Sequence, residues 1–284
     1  MWRKLPIWIR AIILGLVVAS VPSLVWGGLA MTNLRLTPRL PWSAPVMAVV
    51  LWLYWRYLRG DGPPHHLAAF RREQLRAVEL TPRVWRLALL GGGLAVAAVW
   101  ASFAALRGFL HIAAPTIDVS RFPLVTVIAA IVMGSAVAGV AEEAGFRGYM
   151  QLPLERAYGP GIAVATTSVL FTLVHLTHGS GILPFLPFYL VVAVVYGLLT
   201  LLTGSILPSM TLHFVGDVMM FALRYVAARE GAIASTATGT ISLRAAIAFA
   251  VLAAMSVLAF RLLAREKRGK PPATSLPGML STSA

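Results

Sequence analysis

The chain has 284 residues, 58% of them hydrophobic and only 12% charged, with a mean hydropathy of +0.80. A soluble domain carries about 25% charged residues, so this composition excludes an ordinary soluble fold and points to an all-α, polytopic membrane bundle. The net charge of +14 does not indicate a nucleic-acid partner, because the basic residues flank apolar runs and form no separate basic domain.

Arg3, Lys4 and Arg10 precede a first apolar run from Ala11 to about Ala30. It is too long for a signal-peptide core and lacks a clean cleavage site, so it is expected to be a retained helix. A second, short run spans Ala44 to about Tyr57. The turn Gly60-Asp61-Gly62-Pro63-Pro64 follows, and then His66 to Leu80, read as an amphipathic helix at the membrane surface. In that helix Leu67, Phe70, Gln74 and Val78 share one stripe, with Arg71, Arg72 and Arg76 elsewhere.

Further spans are expected at Leu87 to about Leu110, Phe122 into Glu142, Gly161 to about Leu176, Ile182 to Leu202, Ile206 to about Val226 and Ile241 to Leu263. That makes about eight transmembrane helices. Residues 1–121 form an N-terminal membrane region with an interfacial segment at about 60–83. Residues 122–227 form the core, 228–263 the last span, and 264–284 a disordered tail.

Eight spans put both termini on one side. The loops on that side hold 17 of the 24 basic residues and the opposite loops hold 7, so both termini are expected in the cytoplasm. The same rule puts Glu142 and Glu143 near the cytoplasmic face. Arg outnumbers Lys 21 to 3, and a bacterial plasma membrane is the expected location. With no Cys in the chain, disulfides, thiolate metal sites and a Cys nucleophile are excluded.

Few ionisable groups lie in the later spans: Glu142, Glu143, Arg147, His175, His178, His213 and Asp217. Each is expensive facing lipid and is a functional hypothesis by default. Sharing one interior cavity is the least costly arrangement. Glu143 and Arg147 stand four apart, in the order that favours an ion pair. Glu142 points about 100° away on an α-helix, which leaves it available for chemistry. Phe171 and His175, and His213 and Asp217, are also four apart. His178, beside Gly179-Ser180-Gly181, reads as interfacial.

Two chemistries fit these residues. A carboxylate in a dry site can act as a general base on water, with an imidazole sharing that water. Alternatively Glu142, His175, His213 and Asp217 could supply the ligands of an open site for zinc or another divalent metal. Competing functions are a transporter or proton relay, and a non-catalytic immunity or scaffold protein of the same fold. No inverted repeat favours the transporter. No H-E-x-x-H, G-x-S-x-G or Walker sequence is present.

Glu142-Glu143-x-x-x-Arg147, Phe171-x-x-x-His175 and His213-x-x-x-Asp217, in this order, resemble the motifs of the CPBP intramembrane proteases. These are the CAAX-processing (type II CAAX prenyl endopeptidase) and bacteriocin-processing membrane enzymes, also called the Abi family. The resemblance covers about residues 122–227. It implies a helical membrane core with a cavity open to the cytoplasm, and hydrolysis of a peptide or membrane-protein substrate within the lipid bilayer.

By motif position Glu142 would activate water, with His175 sharing it. His213 and Asp217 would complete the site, and Glu143, Arg147 and Phe171 would support it. The CAAX-processing members usually carry Asn where this chain has Asp217. An amide can donate to an oxyanion, whereas an ionised carboxylate only accepts. The family is often called metalloproteases, and a metal-free glutamate mechanism has also been proposed for it.

Overall fold

The computed structural model describes residues 4–106, 109, 122–178, 180–229 and 239–268. Ten α-helices run through them: α1 (Ile7–Leu36), α2 (Ser43–Leu58), α3 (Ala68–Leu75), α4 (Pro82–Leu106), α5 (Leu124–Glu142), α6 (Gln151–Tyr158), α7 (Pro160–Val174), α8 (Leu186–Thr203), α9 (Leu207–Arg229) and α10 (Leu243–Arg268). A π-helical segment, Glu143–Met150, joins α5 to α6, so that Leu124–Tyr158 is one continuous rod of 35 residues. No strand occurs among the described residues. The protein is an all-α membrane bundle.

A helix stands at each of the eight expected positions. Among the described residues, six helices are long and apolar enough to cross a membrane by length and composition alone. The other two have physical reasons to fall short. α2 has 16 residues, about 24 Å at 1.5 Å per residue, against a hydrocarbon core of about 30 Å. α9 carries His213, Asp217, Arg224 and Arg229, and these lower its hydropathy.

Pro22 lies inside α1 and has no N–H to give the carbonyl of Val18. The Tyr54 hydroxyl, from α2, donates to that carbonyl at 2.7 Å. In a membrane every freed backbone group needs such a partner, so one proline in α1 accounts for one phenol in α2. At the far end of α1 the buried Asn33 makes the turn into α2. Its Nδ2 donates to the carbonyls of Thr37 and Leu40, and its Oδ1 accepts from the Ser43 N–H and hydroxyl.

Small residues set how closely the helices approach the rod. A Cβ on Gly145 would stand 2.5 Å from the Gly15 carbonyl oxygen and 2.7 Å from Ala19 Cβ. On the other side of the rod, a Cβ on Gly139 would stand 3.1 Å from the Met210 carbonyl oxygen of α9. Gly145→Ala should therefore lower stability by about 1–3 kcal/mol through overpacking. The check is its unfolding midpoint in detergent beside Gly161→Ala, where a Cβ meets nothing within 4 Å. Equal midpoints would show that α1 does not pack as described.

Three sequence expectations need correction. The Glu142–Glu143 pair does not stand at a helix end, because the rod continues past it to Tyr158. Arg147 is fully buried and does not belong among the loop charges.

The third correction concerns the helix expected over His66 to Leu80, which spans only Ala68–Leu75 and ends where Arg76 takes a left-handed φ of 55°. Arg71 and Arg76 are structural. Arg71 is buried over the Tyr57 ring and donates to the carbonyls of Tyr57, Gly62 and Pro64 at 2.8, 2.9 and 3.1 Å. Arg76 pairs with Glu155 at 2.9 Å. Leu67, Phe70 and Val78 face outward.

The last helix runs to Arg268, beyond Leu263, and residues 269–284 of the expected tail lie outside the described residues. So do Arg107, Leu110, Arg121 and Gly179.

Candidate active site

The rod supplies the acidic half of the site. Its winding widens at Glu143, from α to the i→i+5 pattern of a π-helix, and all eight residues of the π segment are buried. Such segments are rare and cluster at functional sites. Here the change of winding falls between the two adjacent glutamates, and their environments differ accordingly. The Glu143 side chain is 0% exposed and Arg147 Nη1 lies 3.2 Å from its Oε1. The Glu142 side chain is 23% exposed, and no ion pair joins it to Arg147.

α9 brings the second half. Gly139 admits its backbone, and His213 arrives beside both glutamates. His213 Nδ1 lies 2.9 Å from Glu143 Oε1. A carboxylate can only accept, so Nδ1 carries a proton and Nε2 is left for the other side of the ring. There Nε2 stands 3.8 Å from Glu142 Oε2 and 3.7 Å from Asp217 Oδ2. Both gaps are too long for a direct hydrogen bond and suit a bridging water. Glu142 Oε2 is buried and has no hydrogen-bond partner of its own.

α7 and α8 provide the walls. Phe171 lies under the Arg147 guanidinium, 4.6 Å from its centre, and meets the rings of His175 and His213 at 4.6 and 6.0 Å. His175 ends α7, with Nδ1 at 2.8 Å from the Phe171 carbonyl oxygen and its ring stacked on Tyr189 at 4.1 Å. Tyr196 lies 5.4 Å from the His213 ring. Arg147 Nη2 donates to the Ala193 carbonyl at 3.1 Å.

Glu142, Glu143, Arg147, His213 and Asp217 thus form one connected group, and Phe171 links it to His175. The short contact to His213 comes from Glu143, whereas the sequence had paired His213 with Asp217. Spacing along one helix reveals partners on that helix alone. Tyr189 and Tyr196 were missed altogether, although they stand seven apart, on one face of an otherwise apolar run. The side chain of His178 lies outside what is described.

Residues 124–219 match the family model described as type II CAAX prenyl endopeptidase Rce1-like. The chain carries an Rce1-like domain of the CAAX protease family. No curated protein and no solved structure matches it. The Rce1-like domain begins with α5 and ends within α9, and it contains every residue of the connected group. At the level of family this is an intramembrane CAAX-type endopeptidase domain; α1–α4 and α10 lie outside the match.

Among the described residues, no group of three or more His, Asp and Glu side chains is arranged to hold a metal ion. Glu143 is already shared between His213 and Arg147. The side chains, as arranged, do not form a metal cage.

Proposed function

We propose that the protein hydrolyses a peptide bond within the membrane by means of a water activated by Glu142. The observation that carries this reading is the convergence of Glu142 Oε2 and Asp217 Oδ2 on His213 Nε2, at 3.8 and 3.7 Å, inside the Rce1-like domain. Glu142 takes a proton from the water as its oxygen attacks the carbonyl carbon. The carbonyl π-electrons move onto oxygen. When the tetrahedral species collapses, the C–N bond breaks and the amine leaves with the proton that Glu142 held. A carboxylate and an amine result.

His213 holds the water's other side, and Glu143 fixes the orientation and tautomer of its imidazole, as a carboxylate does for a catalytic histidine. Asp217 stands beside Glu142 on the same face of His213, 3.7 Å from Nε2, and His175 supplies a second imidazole at the wall. The substrate class is the one in the family's description, a prenylated or similarly apolar peptide end. Both termini, on the more basic side, lie in the cytoplasm of a bacterial cell in this reading.

The test is cleavage of an internally quenched, prenylated CAAX reporter peptide by the purified protein in proteoliposomes. In 18O-labelled water, one labelled oxygen should enter the new carboxylate, and activity should persist in a chelator. Absence of cleavage would overturn the endopeptidase reading. Loss in chelator with recovery on added zinc would replace the metal-free water by a metal-bound one.

A further inference from the structure

What His213 can do depends on where its Nε2 points. The contact of Nδ1 with Glu143 Oε1, at 2.9 Å, fixes one edge of the ring. An imidazole held at one atom can still swing about that bond and carry Nε2 away from Glu142 and Asp217. A second contact is needed to fix its plane.

Tyr196 of α8 supplies that contact. Its ring lies 5.4 Å from the His213 ring, with the planes 30° apart, inside the range of about 4.5–7 Å in which aromatic rings pair. Its hydroxyl reaches along α9 to Gly216, where a Cβ would stand 3.6 Å from it. Phe171 closes another side of His213, edge-on at 6.0 Å. Tyr196 is in turn held from behind. It is buried, with the Arg147 guanidinium 5.7 Å over its ring, and it belongs to the apolar core that α8 shares with Val96 and Val99 of α4 and Leu263 of α10.

α4 sets the approach. Its apolar run is interrupted by Gly91-Gly92-Gly93, and α4 packs on both α8 and α9. A Cβ on Gly92 would overlap the Leu212 side chain and stand 2.7 Å from Leu199 Cδ1. Leu212 precedes His213 on α9, and Leu199 stands three residues from Tyr196 on α8. The side chain missing at Gly92 lets both helices close on α4 side by side, which brings Tyr196 and His213 together. In this way a helix outside residues 124–219 reaches the reaction centre.

We propose that Tyr196 is the positioning residue of His213: its ring, seated through Gly92, holds the imidazole plane so that Nε2 faces Glu142 and Asp217. The catalytic consequence rests on the endopeptidase reading above. Tyr196 meets neither the water nor the peptide in it and exchanges no proton.

Tyr196→Leu keeps an apolar side chain and loses the flat ring, whereas Tyr196→Phe keeps the ring and loses only the hydroxyl. On the reporter peptide Tyr196→Leu should lower kcat by about 10–10², the effect of a misplacement of about 1 Å, with KM unchanged, and Tyr196→Phe should restore most of the rate. Val99→Ala, in the same core but on α4, controls for lost packing: it should lower the unfolding midpoint and leave kcat at the wild-type value. A readout that needs no turnover is the Nδ1–H proton of His213 in protein labelled with 15N-histidine, assigned by its loss in His213→Asn. Its NMR signal should be sharp and at low field in the wild-type protein and in Tyr196→Phe. In Tyr196→Leu it should broaden or vanish, because a ring free to swing leaves Glu143 for part of the time. Wild-type kcat in Tyr196→Leu, an equal loss in Tyr196→Phe, or a sharp signal in Tyr196→Leu would overturn the inference and leave the endopeptidase reading standing. No cleavage by the wild-type protein would overturn that reading, and the proton signal would still decide whether Tyr196 holds the ring.

Discussion

Glu142→Gln should leave a folded protein whose peptidase rate is down by about 10²–10⁴, the range that a positioned acid–base group contributes. Glutamine has the same shape but cannot take the proton of water. Stability should not fall, because Glu142 Oε2 has no hydrogen-bond partner to lose. Glu143→Gln should behave differently. It removes the charge that Arg147 and His213 both meet, at 3.2 and 2.9 Å, so stability and rate should fall together. Paired measurements of kcat and of the unfolding midpoint in detergent separate the two glutamates. If Glu142→Gln keeps its activity, or if the two patterns are exchanged, the assignment of the base is wrong.

Arg147→Met carries the largest expected loss of stability. The guanidinium and the Glu143 carboxylate are both essentially inaccessible, at 1% and 0% exposure. Removing one partner of such a pair leaves a buried charge uncompensated and costs about 3–5 kcal/mol. The guanidinium also lies over Phe171 and donates to Ala193, so its loss loosens two neighbouring helices. Reversible unfolding in mixed micelles would measure the effect. The double variant Glu143→Leu with Arg147→Met should recover much of that stability, since neither charge remains. It should recover no peptidase activity, because His213 would have lost the carboxylate that orients it. A double variant as unstable as Arg147→Met alone would mean that the pair is not what holds the rod.

Much of this arrangement was legible in the sequence. Long apolar runs need no alignment to read as membrane helices, and acids and imidazoles within them mark an interior site. The i, i+4 rule found Glu143–Arg147, because that pair lies on one helix. It could not find Glu143–His213, which depends on how α9 packs on α5 at Gly139. Periodicity also failed over Ala68–Leu75. There Arg71 turns inward to meet backbone carbonyls, and charge alone had suggested a solvated face. The π winding left no trace in the residue pattern, because Glu143 and Arg147 remain neighbours in either helix. Tyr189 was invisible for a simpler reason: a tyrosine in an apolar run reads as an ordinary wall residue until its neighbour is known to be His175.

The residues below Glu143 on the rod make a row of contacts to α8. Arg147 donates to the Ala193 carbonyl, Gln151 to that of Gly197, and Arg76, held by Glu155, to that of Thr200. These carbonyls are spaced like the teeth of a rack along one edge of α8. A slip of α8 by half a turn, about 2.7 Å, would disengage all three at once, and the row meets carbonyls again only a full turn along. α8 and the rod are therefore indexed to each other and move as one body.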